Sequence, residues 1–275
     1  MEKRNNLQNF AHEETSFPNS KTNGFLIRKS NLSIRRLDNF FKPHFDVQPP
    51  LPNTCHTSLF IGSKGTGKST LLLNLLLQND MYNKKFDNIY IFSKTIKLDS
   101  KFKKVRLDSR KIFTTFDEET LGNILTSTQS SIETLRKEND EKPPSEREDL
   151  PLTLIIFDDM ISDCATFNNS RGIMSTLYFN ARHYRLSIWV SAQKMSGCIP
   201  TALRENVDCI FLYRLPNRRN LKMMWEEFAS DIAFEDFYDM YSVSTEGKGN
   251  FFFINLTLPK TNGKYNSNFN TFILE

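Results

Sequence analysis

One run of eight residues narrows the possible folds of this chain more than any other feature. Gly62-Ser63-Lys64-Gly65-Thr66-Gly67-Lys68-Ser69 satisfies the pattern G-x-x-x-x-G-K-[ST] at every fixed position. Its flanks matter as much as the pattern. Thr57-Ser58-Leu59-Phe60-Ile61 reads as a short buried strand, and the leucine-rich stretch from Thr70 to Leu77 reads as a helix. A glycine turn between a strand end and a helix start lets backbone N–H groups converge on an anion, and the positive end of the helix adds its dipole. A chance glycine turn would not require both flanks in this order. The pattern therefore assigns Gly62, Ser63, Lys64, Gly65, Thr66, Gly67, Lys68, Ser69 and Thr70 to the phosphates of a nucleotide such as ATP. Lys68 is expected on the β- and γ-phosphates and the Ser69 hydroxyl on Mg²⁺.

With 275 residues, 39% of them hydrophobic, the chain can bury one substantial core, so a single α/β domain is expected. The longest apolar runs, near Leu71 to Leu77 and Phe251 to Ile254, fall far short of the roughly 20 residues of a membrane span. A soluble protein with no membrane span is expected, and the polar opening Met1-Glu2-Lys3-Arg4-Asn5-Asn6 does not resemble a secretory leader. Cys55, Cys164, Cys198 and Cys209 are scattered without metal-ligand spacing and read as reduced thiols.

The net charge of +4 is modest but unevenly distributed. Lys94, Lys97, Lys101, Lys103, Lys104, Arg106, Arg110 and Lys111 form one basic block. Arg182, Arg185, Lys194, Arg204, Arg214, Arg218, Arg219 and Lys222 form a second. Acids pool over residues 133–149 and 226–246. Two arrangements are open: one positive face for a phosphate backbone, or basic and acidic blocks that meet in space.

Residues 1–24 are polar and lack apolar periodicity, so a mobile tail is expected there and the domain over residues 25–275. Strand signals recur at residues 88–93, 112–116, 152–157, 186–191, 209–213 and 251–258, the last expected at a sheet edge with a fraying end beyond it. A long amphipathic helix is expected after Asp117, and further helices at about 169–184 and 217–228. Residues 139–151, rich in charge and proline, read as an exposed, disordered loop. Apolar strands that do not alternate in polarity, interleaved with helices, imply a mainly parallel sheet sandwiched by helices.

Leu154-Ile155-Ile156-Phe157 ends abruptly in Asp158-Asp159. Downstream of a phosphate loop, Asp158 at the strand tip is the candidate Mg²⁺ partner, and Asp159 the candidate catalytic acid that orients or deprotonates a water. A pair of turn or capping aspartates is the bland alternative. Glu is more usual at the second position, so the shorter Asp159 is the less secure of the two assignments. Ile188-Trp189-Val190-Ser191-Ala192 ends in Gln193, where open α/β sheets keep their ligands, which makes Gln193 a candidate γ-phosphate sensor or else a surface amide. Arg204 is the candidate arginine finger offered across a subunit boundary, with Arg182, Arg185 and Lys64 as rivals and an ordinary surface arginine as the alternative.

The order of these parts resembles the FtsK/HerA superfamily. The parts are the phosphate loop, an intervening strand, the Asp-Asp strand, Ala181-Arg182-His183-Tyr184-Arg185-Leu186-Ser187-Ile188 leading to Gln193, then Ile199-Pro200-Thr201-Ala202-Leu203-Arg204-Glu205-Asn206-Val207-Asp208. Within that superfamily it is most similar to the genome-packaging ATPases of poxviruses, other large DNA viruses and virophages. The resemblance implies a RecA-like P-loop NTPase fold and a homo-oligomeric ring that drives double-stranded DNA into a capsid. It further implies capsid or portal-region partners and a place in the host cytoplasm or viral factory, or with the virion. It carries over Gly62, Gly67, Lys68 and Ser69 as ATP contacts, Asp158 as the Mg²⁺ partner, Asp159 as catalytic acid, Gln193 as sensor and, less firmly, Arg204 as finger. The residues alone also admit a nucleotide-dependent switch not coupled to DNA, or a small-molecule kinase using Arg214, Arg218 and Arg219.

Overall fold

The computed structural model describes residues 45–96, 102, 108–160, 172–195 and 199–274. The expected N-terminal tail, Cys164, Cys198 and most of the first basic block (Lys97, Lys101, Lys103, Lys104 and Arg106) lie outside the described residues. The rest belongs to one compact unit spanning residues 41–275.

Nine strands form one sheet: β1 (Thr57–Ile61), β2 (Asn88–Ser93), β3 (Ile112–Phe113), β4 (Thr153–Asp158), β5 (Leu186–Ala192), β6 (Cys209–Leu212), β7 (Phe252–Asn255), β8 (Tyr265–Ser267) and β9 (Asn270–Thr271). Their order is β3-β2-β4-β5-β1-β6-β7-β8-β9. The first six in this order run parallel, and β7, β8 and β9 continue antiparallel. Among the described residues six α-helices accompany them: α1 (Lys68–Leu77), α2 (Glu118–Glu141), α3 (Ile173–Asn180), α4 (Thr201–Arg204), α5 (Arg218–Phe228) and α6 (Phe234–Ser244).

The central strands are buried along their whole length because both faces are covered. Phe60, Ile156, Trp189, Phe211 and Phe253 face the leucines of α1, whereas Leu59, Ile61, Phe157, Val190 and Leu212 face the core that includes residues of α2, α3, α5 and α6. Strands covered this way lose the alternation of a one-sided sheet, which is why the runs read as uninterrupted. Stacked rings tie the antiparallel extension to the parallel half: Phe60 on Phe211 and Phe211 on Phe253, each at 4.5 Å between centroids.

Several boundaries differ from expectation. The helix of the phosphate loop begins at Lys68, and β3 spans only Ile112–Phe113. Asp117 caps α2 by accepting from the Glu119 and Thr120 amides. The helix continues to Glu141, and the 139–151 loop is exposed yet organised. Asn139 accepts from the Glu148 amide at 2.9 Å and donates to its carbonyl at 2.8 Å, while Lys142 pairs with Glu148. The run beginning at Phe251 is not at the edge: β7 lies between β6 and β8, because the Asn-rich end folds back on it instead of fraying. Asn266, fully buried, holds that return by donating to the Gly263 carbonyl at 2.8 Å.

Candidate nucleotide site

The phosphate loop leaves β1 at the carboxyl edge of the sheet, where β4 and β5 end beside it. Two of its glycines are dictated by space and backbone. A Cβ on Gly62 would stand 2.5 Å from Tyr213 Cβ and 2.9 Å from Thr66 Oγ1, so no larger residue fits there. Gly67 caps α1 at φ 114°, in the left-handed region that side-chain-bearing residues avoid. The loop is pinned to its neighbour by the Gly62 amide, which donates to the Ala192 carbonyl at 3.1 Å. Within it, the Thr66 hydroxyl donates to the Ser63 carbonyl at 2.8 Å. Lys68 Nζ donates to the Gly62 and Ser63 carbonyls at 2.6 and 3.0 Å. The ammonium is thus held at the mouth of the loop. The first turn of α1 carries no acid, so its positive end is unopposed. Ser69 is half-buried there, and Lys64, Gly65 and Thr70 are exposed.

Asp158 is the last residue of β4 and is buried, with 3% of its surface exposed. Register sets it between Ser93 of β2 and Ser191 of β5. Ser93 Oγ donates to Asp158 Oδ2 in a long 3.4 Å bond. Ser191 Oγ lies close enough to stabilise the carboxylate, yet closes no hydrogen bond of good geometry. Burial pushes the Asp158 carboxyl above the ordinary carboxylate range, and the neighbouring Asp159 adds to the rise; Lys68 and the two serine hydroxyls oppose it. Burial likewise lowers the Lys68 ammonium, which Asp158 and Asp159 hold up. A half-satisfied buried carboxylate beside an ammonium, with a serine of the helix start at the same loop, fits a hard divalent cation that takes oxygen ligands.

Asp159 follows the strand in a left-handed conformation, φ 54°, and is exposed where Asp158 is buried. Its Oδ1 accepts from Gln193 Nε2 at 2.9 Å. The structure therefore brings together Lys68, Asp158, Asp159 and Gln193 at one edge. Arg204 is not among them. It ends α4, just before β6, whose Cys209 pairs with Ser58 at the beginning of β1, so Arg204 sits at the amino edge, a strand length from its own phosphate loop. There it pairs with Glu227 at 2.7 Å and with Thr201 Oγ1 at 2.9 Å.

The rivals for the finger role are also placed. Arg182 pairs with buried Asp208, which in turn accepts from the Thr57 amide at 2.8 Å. Arg185 is half-buried, with φ 53° at the entry to β5. Arg204–Glu227 and Lys222–Glu226 join the second basic block to the acids of residues 226–246, whereas Arg182 and Arg110 pair with Asp208 and Asp108, which lie outside the acidic pools. Sequence reasoning missed Ser93 and Ser191, which flank Asp158, and Tyr213, which walls the loop. Only the serines left a signal: a polar residue at the end of an apolar strand.

A parallel sheet with a phosphate loop after its central strand, and with one strand, β5, between that strand and the strand of the two acids, defines a RecA-like P-loop NTPase. The chain belongs to the Poxvirus A32 protein family, whose model matches residues 44–215, well over half of its length. An uncharacterized protein, 075L, of Invertebrate iridescent virus 6 is 30% identical over 97 residues, a match covering 35% of this chain and 36% of that relative. The chain thus matches little more than a third of the length of this curated relative. Among solved structures, the genome packaging NTPase B204 from Sulfolobus turreted icosahedral virus 2, in complex with sulfate, aligns with a TM-score of 0.50 and 13% identity. That alignment covers 74% of this chain and 92% of the other. At this identity the likeness establishes the fold.

Proposed function

We propose that this chain is an ATP-hydrolysing motor that moves double-stranded DNA and packages a viral genome into a capsid. The observation that carries hydrolysis is the Gln193–Asp159 hydrogen bond beside Lys68. It supports a role for Asp159 as a second carboxylate, held by an amide beside Asp158, at the edge where the γ-phosphate would lie. Family membership and the role of B204 as a genome packaging NTPase support the DNA half of the reading.

In this reading the loop amides and Lys68 bind the triphosphate, and Ser69 and Asp158 would hold Mg²⁺, which would supply neutralisation of phosphate charge. Asp159 orients the attacking water and accepts its proton, and Gln193 fixes the Asp159 carboxylate and senses the γ-phosphate. Because the Gly62 amide is tied to the Ala192 carbonyl, a shift of the loop is passed directly to Gln193. Arg204 acts on a neighbour's nucleotide in a homo-oligomeric ring. Capsid or portal-region proteins are the docking partners, in the infected host's cytoplasm or viral factory. No helix among the described residues is long and apolar enough to cross a membrane.

The deciding experiment is steady-state ATP hydrolysis by the wild type and Asp159→Asn, with and without long double-stranded DNA, at low and moderate salt. DNA stimulation that weakens with salt and is lost in the variant is expected. Turnover indifferent to DNA would remove the motor reading, and full activity in Asp159→Asn would remove the assignment of the acid.

A further inference from the structure

The phosphate loop touches a segment that lies beyond the residues of the family match. A Cβ built on Gly67 would stand 3.2 Å from Gly249 Cα, so the turn over residues 247–250, between α6 and β7, packs on the cap of α1. Gly249 itself has φ 89°. Along the sheet, β4 and β5 with Asp158, Asp159 and Gln193 lie on one side of β1, and β6 and β7 lie on the other. A triphosphate whose γ-phosphate points toward Gln193 must direct the rest of its molecule toward β6 and β7.

On that side, the residues that follow β6 and those that precede β7 line an open cleft of about 420 Å³, within the size range of small-ligand sites. Arg214, Arg218, Tyr238, Tyr241 and Glu246 line it. Two of its lining residues are chain neighbours of segments that touch the loop. Arg214 follows Tyr213, whose Cε1 lies 3.5 Å from the same built position on Gly67, and Glu246 immediately precedes the 247–250 turn. Tyr238 keeps 39% of its surface exposed, and the Arg218 guanidinium lies 5.3 Å from its ring centre.

We infer that this cleft is the nucleoside subsite, taking the purine ring and ribose of the nucleotide whose phosphates the loop holds; it rests on the nucleotide reading of that loop. Tyr238 and the Arg218 guanidinium offer flat surfaces for a base. Glu246, an acceptor, suits the exocyclic amine or the ribose hydroxyls. The 247–250 turn joins this subsite to the phosphate loop.

Calorimetric titration of the full chain in Mg²⁺ with AMPPNP, and separately with inorganic tripolyphosphate, distinguishes the two ends of the ligand. Tyr238→Ala is expected to weaken AMPPNP about tenfold, the scale of one lost base-stacking contact, and to leave tripolyphosphate unchanged. Glu246→Gln is expected to weaken AMPPNP alone. Lys68→Ala weakens both ligands. If Lys68→Ala weakens both but Tyr238→Ala and Glu246→Gln bind AMPPNP like the wild type, the subsite is overturned while the phosphate site stands. If Lys68→Ala changes neither, the nucleotide reading falls and the subsite with it. Equal weakening of both ligands by Tyr238→Ala, or intact AMPPNP affinity with lost double-stranded DNA binding, would also overturn the assignment.

Discussion

Asp159 combines a charge with a left-handed backbone, and these can be separated. Asn tolerates φ near 54° as well as Asp does, so Asp159→Asn removes the charge without disturbing the turn. Nucleotide affinity should then be retained while hydrolysis falls by about 10² to 10⁴, the range for loss of a general base; equilibrium binding beside single-turnover hydrolysis checks this. His56 gives a second test. Its Nε2 accepts from Trp189 Nε1 at 3.0 Å and its Nδ1 lies 2.9 Å from the Thr54 carbonyl, so it is a buried, neutral ring with both nitrogens engaged. Burial holds its pKa below the ordinary 6.5. The unfolded chain therefore takes up the proton first on acidification. The contribution of His56 to stability is complete above about pH 6.5 and is lost as pH falls below it. Thermal unfolding of wild type should weaken from pH 7 to 5.5, with a shallower slope in His56→Gln; equal slopes would contradict the assignment. At this scale the acids and Gln193 could be picked out because each ends or follows an apolar strand, and Lys68 because it stands in the glycine pattern. Tyr213 was not, since its contact with Gly62 depends on how β6 lies beside β1.

Among elements, the segments that carried the family resemblance divide into chemistry and carpentry. Asp208 bonds the Thr57 amide at the start of β1 and the Arg182 side chain ahead of β5, so it fastens together the amino ends of three neighbouring strands. Asp208→Ala should cost about 2 kcal/mol, measured by urea unfolding, since it leaves the Thr57 amide without its acceptor and removes the ion pair with Arg182. Arg182→Ala, half exposed, should cost less. The strands β1, β2, β4, β5 and β6 were readable nearly to the residue because continuous apolar runs have few other uses. Helix α6 was not: Phe234, Phe237, Met240 and Tyr241 alternate with Glu235, Asp236 and Asp239, and the acids masked the helical spacing. Nor could the β7 run announce its neighbours. Its apolar character fits an edge or an interior strand, and the strand that pairs with its outer side, β8, is only Tyr265-Asn266-Ser267, too short to read as a strand.

For the whole molecule, the separation of Arg204 from its own phosphate loop has a direct test. Lys68→Ala and Arg204→Ala chains should each hydrolyse poorly alone, and mixing them should restore turnover, because an intact loop from one subunit then meets an intact arginine from another. Failure of mixtures to recover, in conditions where rings form, would place the finger elsewhere. Glu227→Gln, which frees Arg204 from its ion pair, should leave nucleotide affinity unchanged and raise turnover at limiting protein concentration, if assembly competes with that pair. The two margins of the sheet bear on how such a ring could close. Among the described residues, one margin is β3 and the other β9, each two residues long, and β9 is exposed and polar. Margins so short offer too few free amides to recruit a neighbouring strand. In the proposed ring, subunits would therefore be barred from joining into one continuous sheet and left free to slide or tilt against each other, as a stroke repeated at every interface would require.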